Sequence, residues 1–244
     1  VLLRDGAALS RCVELGGTGA AQVNGVALDA SGARVLAIGG FYGDATFGAE
    51  AYTARSQDAF VVSLDASTGA IERSLVVSGN MLEEGVAVVA LEGGDFVIGG
   101  RYEGSASVGS AALPSASAPR LYLARLDGET LEVVWVRSAL GTSTSRAWSL
   151  DASGEALLVH GTHAGLELAG CAALPGAGAD DLFVARLDAS DGACVWARSV
   201  GGAGVERAGA ITVGARRVYV VASVDDGALV GTETVSTLGE DAAG

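Results

Sequence analysis

Short apolar stretches recur along the whole chain, and glycine-rich turns separate them. One segment occurs three times, as DAFVVSLD at 58–65, RLYLARLD at 120–127 and DLFVARLD at 181–188. The copies lie 62 and 61 residues apart. A second apolar stretch follows each copy after a short turn, and a similar stretch ends at Gly17 near the start of the chain. No segment keeps a 3.6-residue apolar period over three turns, so the pattern predicts strands and no long helix.

A strand–turn–strand pattern precedes each of the three copies, at 27–40, 89–100 and 149–161, and occurs a fourth time at 211–223. The turn sequences DASG and EGGD place glycine where the backbone needs a positive φ. Each unit of about 61 residues therefore predicts two hairpins, that is, four short strands. Glycine-, alanine- and serine-rich excursions separate the two hairpins, at 41–57, 101–118 and 162–179.

Four strands in every unit, repeated radially, are typical of a β-propeller blade. We therefore predict an all-β fold, a propeller of four-stranded blades with four repeats in a single domain, 1–244. Its parts are the end of a blade at 1–17, followed by repeats at 18–79, 80–141, 142–202 and 203–244. Two arrangements remain open. Residues 1–17 complete the last repeat in a closed four-blade ring, or the chain is part of a larger propeller or array.

The segments DAFVVSLD, DLFVARLD, VWARSVGG and LDASG also resemble a known family. They are similar to the bacterial tandem β-propeller repeats of extracellular proteins in high-GC bacteria such as myxobacteria. The resemblance covers nearly the whole chain. It implies a propeller outside the cell, but it implies no particular activity, because one fold hosts many functions.

The charge of the chain narrows the range of partners. There are 29 acidic against 15 basic residues, and the formal net charge is -14. Such a chain repels phosphate backbones, so nucleic acid is excluded as a partner. The longest apolar run, 86–91, is too short to cross a bilayer, so we predict no membrane span.

Two of the three cysteines fall in one repeat. We expect Cys171 and Cys194 to form a disulfide that closes a 23-residue loop, which leaves Cys12 without a partner in the chain. A disulfide indicates an oxidising compartment, so we expect a secreted or cell-surface protein.

Aromatic and arginine side chains share one position in the fourth strand of the units. Trp135 and Trp196 stand there in two copies, and Arg73 and Arg11 in the others. One interpretation is a ligand-stacking ring; the other is that these side chains fill the space between blades. Trp148 is predicted to belong to the core.

Little in the sequence indicates catalysis or a cofactor. There is no GxSxG segment, phosphate-binding loop or calcium loop. His160 and His163 lack further ligands for zinc at a recognisable spacing. We interpret Asp58, Asp181 and Asp241 as turn caps. The prediction is therefore no catalytic, cofactor-binding or metal-binding residue, with calcium held between loops of different blades as the alternative.

These observations favour a non-catalytic scaffold or binding module. Its strands repeat while its excursions vary, and variable loops on a constant frame are where recognition usually occurs. The expected partner is a protein or a glycan, or a second copy of the chain. One alternative is a carbohydrate-active hydrolase or lyase with acids and an aromatic side chain at a central channel. Another is an architectural unit of a surface fibre.

Overall fold

The computed structural model describes residues 2–5, 8–141, 143–214, 217–225, 228–230 and 233–234. These residues form antiparallel sheets, and no helix occurs among them. The prediction of an all-β fold is confirmed. In the described part of the chain there is accordingly no helix of the length and hydropathy needed to cross a membrane.

The strands follow the predicted repeats. Ahead of the first repeat lie β1 (Leu2–Asp5), β2 (Ala8–Cys12) and β3 (Gly16–Gly17). The first repeat contains β4 (Ala21–Leu28), β5 (Arg34–Phe47), β6 (Glu50–Asp65) and β7 (Ile71–Gly79). The second contains β8 (Glu83–Ala90), β9 (Phe96–Gly104), β10 (Ala106–Val108), β11 (Ala111–Ala112), β12 (Ala116–Leu126) and β13 (Val133–Ser138). The third contains β14 (Ser145–Ser153), β15 (Ala156–His163), β16 (Gly165–Leu166), β17 (Leu174–Pro175), β18 (Asp181–Asp188) and β19 (Cys194–Gly201). The fourth contains β20 (Arg207–Val213), β21 (Val218–Ser223), β22 (Leu229–Val230) and β23 (Glu233–Thr234).

Each of the first three repeats folds into four long strands that pair in sequence order. The orders are β4-β5-β6-β7, β8-β9-β12-β13 and β14-β15-β18-β19. In the first repeat the excursion at 41–57 is not a separate loop, because β5 and β6 extend through it as one long hairpin. The glycines predicted to have positive φ in the first turns do so, with values of 75° at Gly32 and 93° at Gly94.

The second and third long strands of these sheets are buried on both faces over much of their length, which explains why they are apolar runs rather than alternating patterns. On β5, Leu36 and Ile38 pack in a cluster with side chains of the second repeat, including Phe96. The intervening Val35 and Ala37 belong to a cluster on the opposite face. The first strands of successive repeats also contact one another, β4 with β8, β8 with β14, and β14 with β20.

The excursions join neighbouring repeats. In each repeat, the excursion between the second and third strands pairs with the end of the strand or segment that precedes that repeat. The paired residues are Ala45 with Gly17, Ala106 with Gly79, Glu167 with Leu140, and Leu229 with Gly201. Gly16 and Gly17 therefore pair with the first repeat in the same way that the end of each repeat pairs with the next repeat.

β1-β2 and β20-β21 form separate two-stranded sheets, whereas β22 and β23 extend the sheet of the third repeat beyond β19. Among the described residues, no strand pairing closes the series of sheets into a ring.

Candidate binding site at a repeat junction

One pair of positions lies at every junction between repeats. The first member lies on the third long strand, and the second follows 25 residues later, at or just before the start of the next repeat's first strand. The pairs are Asp58 with Glu83, Arg120 with Ser145, and Asp181 with Glu206. We call the first and third pairs the acidic junctions and the second pair the arginine junction. Asp241, in the corresponding position of the fourth repeat, lies outside the described residues.

The acidic junction of Asp58 and Glu83 is sealed from solvent. Asp58 is 4% exposed and Glu83 is 0% exposed. Burial, together with a smaller contribution from the nearby Asp58, raises the pKa of Glu83 to about 8. The side chain of Asp58, which the sequence pattern predicts to be a turn cap, instead faces a second buried acid from the next repeat. Asp181 does accept hydrogen bonds from the backbone N–H groups of Ala177 and Gly178, as a cap does.

The arginine junction satisfies its polar groups differently. The guanidinium of Arg120 donates through Nη2 to the carbonyl oxygen of Gly141. The hydroxyl oxygen of Ser145 accepts a hydrogen bond of 3.1 Å from the backbone N–H of Leu121. Neither member of this pair is an acid. Its smaller Ser145 lines a cavity instead.

A β-bulge presents Trp148 beside this cavity. In the β14–β15 pairing, Ala147 faces Gly161 and Ser149 faces His160, so Trp148 is the extra residue between them. A bulge redirects a side chain relative to regular alternation. Trp148 is 37% exposed, and its indole Nε1 donates to the Thr162 hydroxyl at 3.2 Å. The prediction that Trp148 belongs to the core is wrong, because alternation along a strand does not reveal an inserted residue.

Glycine permits the bulged strand to lie close to its partner. A Cβ atom at Gly161 would collide with the carbonyl oxygen of Arg146 and would meet the Phe183 ring at 2.6 Å. The register-equivalent Gly39 and Gly100 approach the first strand of their own repeats in the same way. The recurring glycine therefore has a steric cause that is independent of turns.

A glutamate holds two arginines at the arginine junction. Glu84 accepts a hydrogen bond from Arg101 Nε at 2.9 Å and another from Arg146 Nη2 at 2.8 Å. Burial lowers the pKa of Arg146, the Glu84 carboxylate opposes that effect, and Arg101 adds to it. An arginine stays charged in proteins. The guanidinium carbon of Arg146 lies 3.6 Å from the centre of the Trp148 ring, which is a cation–π contact.

These groups line one concave cavity of about 350 Å³. Two guanidiniums, an indole, three hydroxyl groups and a carboxylate contribute to its wall, from Arg101, Arg146, Trp148, Thr144, Ser145, Thr162 and Asp180. The second and third repeats both supply lining residues. The site therefore exists only where two repeats meet.

The ligand-stacking candidates named from the sequence do not line this cavity. Trp135 is 7% exposed, and its Nε1 donates to the carbonyl oxygen of Ala189 in the third repeat at 3.1 Å. It thus fills the space between repeats, as the second interpretation had it. Trp196 is half-buried, Arg73 is exposed, and the side chain of Arg11 lies outside the described residues. Arg101, Arg146 and Trp148 were missed as site residues.

The structure contains the disulfide expected between Cys171 and Cys194, with Cα atoms 5.6 Å apart. It joins the excursion of the third repeat to the start of β19. Cys12 is a free cysteine.

Both histidines are buried and have structural partners. His160 Nδ1 bonds to the Phe183 carbonyl oxygen at 2.9 Å, and His163 Nδ1 accepts from the Gly165 N–H at 2.9 Å. Burial lowers the pKa of each ring. Within the described ranges, no group of three or more histidine, cysteine, aspartate or glutamate residues is arranged to hold a metal ion.

Comparison with known proteins identifies no relative. No protein-family model matches the sequence, and no curated protein matches it.

Proposed function

We propose that the chain is a non-catalytic extracellular β-propeller module that binds a glycan in the cavity of the arginine junction. The main observation in favour of this function is the position of Trp148. The β-bulge leaves this side chain partly exposed beside a concave cavity whose other lining residues are mostly polar. Sugar rings combine an apolar face with a rim of hydroxyl groups. An indole with hydrogen-bonding groups around it offers matching surfaces to both.

Several features of the fold support a propeller. Each complete repeat is a four-stranded antiparallel sheet, and the first strands of successive repeats touch in series. Sheets with two buried faces require a neighbour on each side, which radial repetition supplies. The resemblance to extracellular propeller repeats of high-GC bacteria points the same way. The Cys171–Cys194 disulfide supports an oxidising compartment.

The size and shape of the cavity favour a glycan over a protein surface. Small-ligand sites are concave and begin at roughly 300 Å³, whereas a stable protein interface buries on the order of 1,600 Å². The cavity of about 350 Å³ lies at the lower end of the small-ligand range. A terminal sugar residue fits this description better than a protein surface does.

The test is binding of a printed panel of neutral and uronic-acid-containing oligosaccharides, followed by calorimetry on any that bind. We expect Trp148→Ala to weaken binding by roughly 5- to 150-fold, since loss of one stacking residue removes roughly 1–3 kcal/mol. The matched control is Trp196→Ala, a partly exposed tryptophan outside the cavity, which should bind as the unchanged chain does. The proposal fails if no oligosaccharide binds, or if Trp148→Ala binds as tightly as the control.

A further inference from the structure

The acidic junction between the first and second repeats buries two carboxyl groups side by side, which the arginine junction does not. Asp58 on β6 and Glu83 on β8 are both almost wholly buried. Their side chains lie within hydrogen-bonding reach of each other. Two ionised carboxylates in such a place would repel each other and would both lack solvation.

No cation in the surroundings resolves this problem. None of the ion pairs of the described residues involves Asp58 or Glu83. Oδ1 of Asp58 and both carboxyl oxygens of Glu83 are buried without a hydrogen-bond partner. The backbone N–H of Gly79 lies close enough to lower the pKa of each group, but burial outweighs this effect. A proton on one carboxyl group would supply the missing donor. An O–H group that donates to a carboxylate is among the stronger hydrogen bonds in proteins.

The other titratable groups around the pair do not supply a positive charge that could replace the shared proton. Glu103 on β9 lies close enough to raise the pKa of Glu83 further. Tyr122 on β12 is buried, and burial together with Glu84 and Glu83 raises the pKa of its hydroxyl. Among the described residues, the positive charge that acts on Asp58 is that of Arg55, which is exposed on β6.

We propose that Asp58 and Glu83 share one proton at neutral pH, and that loss of this proton loosens the packing between the first and second repeats. The pair behaves as one titrating unit whose proton belongs to neither residue alone. Asp181 and Glu206 stand in the same positions two repeats later, and both are buried. Burial and the nearby Asp181 also raise the pKa of Glu206.

The direction of the pH dependence follows from the pKa of Glu83. That pKa is raised from 4.5 to about 8. The protonated form is thus favoured in the folded chain, and the stabilisation is complete below about pH 4.5. It decreases as the pH rises and is lost above about pH 8.

The test is urea unfolding of the 244-residue chain at pH 5, 7 and 9, compared with Glu83→Gln and with the exposed control Glu50→Gln. For the unchanged chain and the control, we expect the folding equilibrium constant to fall at least ~10-fold more between pH 5 and pH 9 than for Glu83→Gln. At pH 9, Glu83→Gln should be the most stable of the three, because its amide donates to Asp58 without carrying charge.

An infrared measurement on the unchanged chain keeps the proposal testable if Glu83→Gln does not fold. A protonated-carboxyl stretching band should be present at pH 7 and weaker at pH 9, and Asp58→Asn should reduce its intensity at pH 7 by the share that this pair contributes. The proposal is overturned if Glu83→Gln keeps the full alkaline sensitivity or if the band is missing at pH 7. It is also overturned if calcium raises the unfolding midpoint of the unchanged chain but not that of Glu83→Gln, because the pair would then bind a metal ion.

Discussion

The acidic junction of Asp58 and Glu83 and the arginine junction of Arg120 and Ser145 place opposite chemistry on the same backbone frame. The acidic pair seals its junction and leaves carboxyl oxygens facing each other. At the arginine junction the guanidinium reaches the backbone carbonyl of Gly141, and the short serine leaves room for a cavity. The frame therefore fixes where two side chains meet, while their identity decides whether the junction is a proton-binding contact or an open site.

The same comparison shows why a ligand site is expected at only one junction. The bulge that presents Trp148 also occurs in the first two repeats, where the extra residues are Asn24 and Val86. Asn24 donates to the Gly85 carbonyl oxygen of the next repeat at 2.7 Å and so serves packing. Only in the third repeat does the bulge carry an aromatic side chain beside a cavity.

The largest effect should come from breaking the packing of the arginine junction. Trp135→Ala removes a buried indole and its hydrogen bond to Ala189, and we expect a loss of about 3–5 kcal/mol in the free energy of unfolding. Trp196→Ala, at the equivalent position of the next repeat, is the control. It should cost less, because Trp196 is only half-buried. Urea unfolding measures both, and equal losses would show that the two junctions are packed alike.

An intermediate effect should follow from converting one junction into the other. In the double variant Asp58→Arg with Glu83→Ser, the introduced guanidinium is expected to donate to the Gly79 carbonyl, as Arg120 does to that of Gly141. The introduced hydroxyl should accept from the Ala59 N–H, as Ser145 does from that of Leu121. We expect a loss of roughly 1–2 kcal/mol at pH 5 from imperfect packing, and no alkaline sensitivity from this junction.

Urea unfolding at pH 5 and pH 9 measures the conversion. Asp58→Arg alone is the control, because its guanidinium would pair with the Glu83 carboxylate and lower the pKa of that group. Its stability should therefore fall in acid rather than in alkali. If the double variant remains as sensitive to alkali as the unchanged chain, the two junctions are not interchangeable and the sensitivity arises elsewhere.

Sequence patterns alone predict the strands and the repeats, because apolar runs and turn glycines act locally. The structure likewise joins Cys171 to Cys194, a pair that stands within one repeat. The bulge at Trp148 escapes prediction because an inserted residue leaves the strand's composition unchanged. The acidic pair escapes because its members belong to different repeats. Its recurrence at Asp181 and Glu206 with the same 25-residue spacing is the signal that could have revealed it.

The smallest effect concerns exposed turns, whose aspartates respond to pH in the opposite direction to Glu83. Asp65 accepts hydrogen bonds from the hydroxyls and backbone N–H groups of Ser67 and Thr68. These bonds lower the pKa of Asp65 to about 2. Its stabilisation is therefore present above about pH 3.8 and is lost as the pH falls towards 2.

Asp65→Asn should lower the unfolding temperature slightly at pH 5 and reduce its dependence on pH between 2 and 4. Thermal unfolding across this range measures the change, again with Glu50→Gln as the exposed control. Because the turn begins at the C-terminal end of β6, seven residues beyond Asp58, the variant should leave the stability above pH 7 unaltered. If Asp65→Asn changed the unfolding temperature in both the acidic and the alkaline range, the titration of the turn and that of the acidic junction would be coupled through β6.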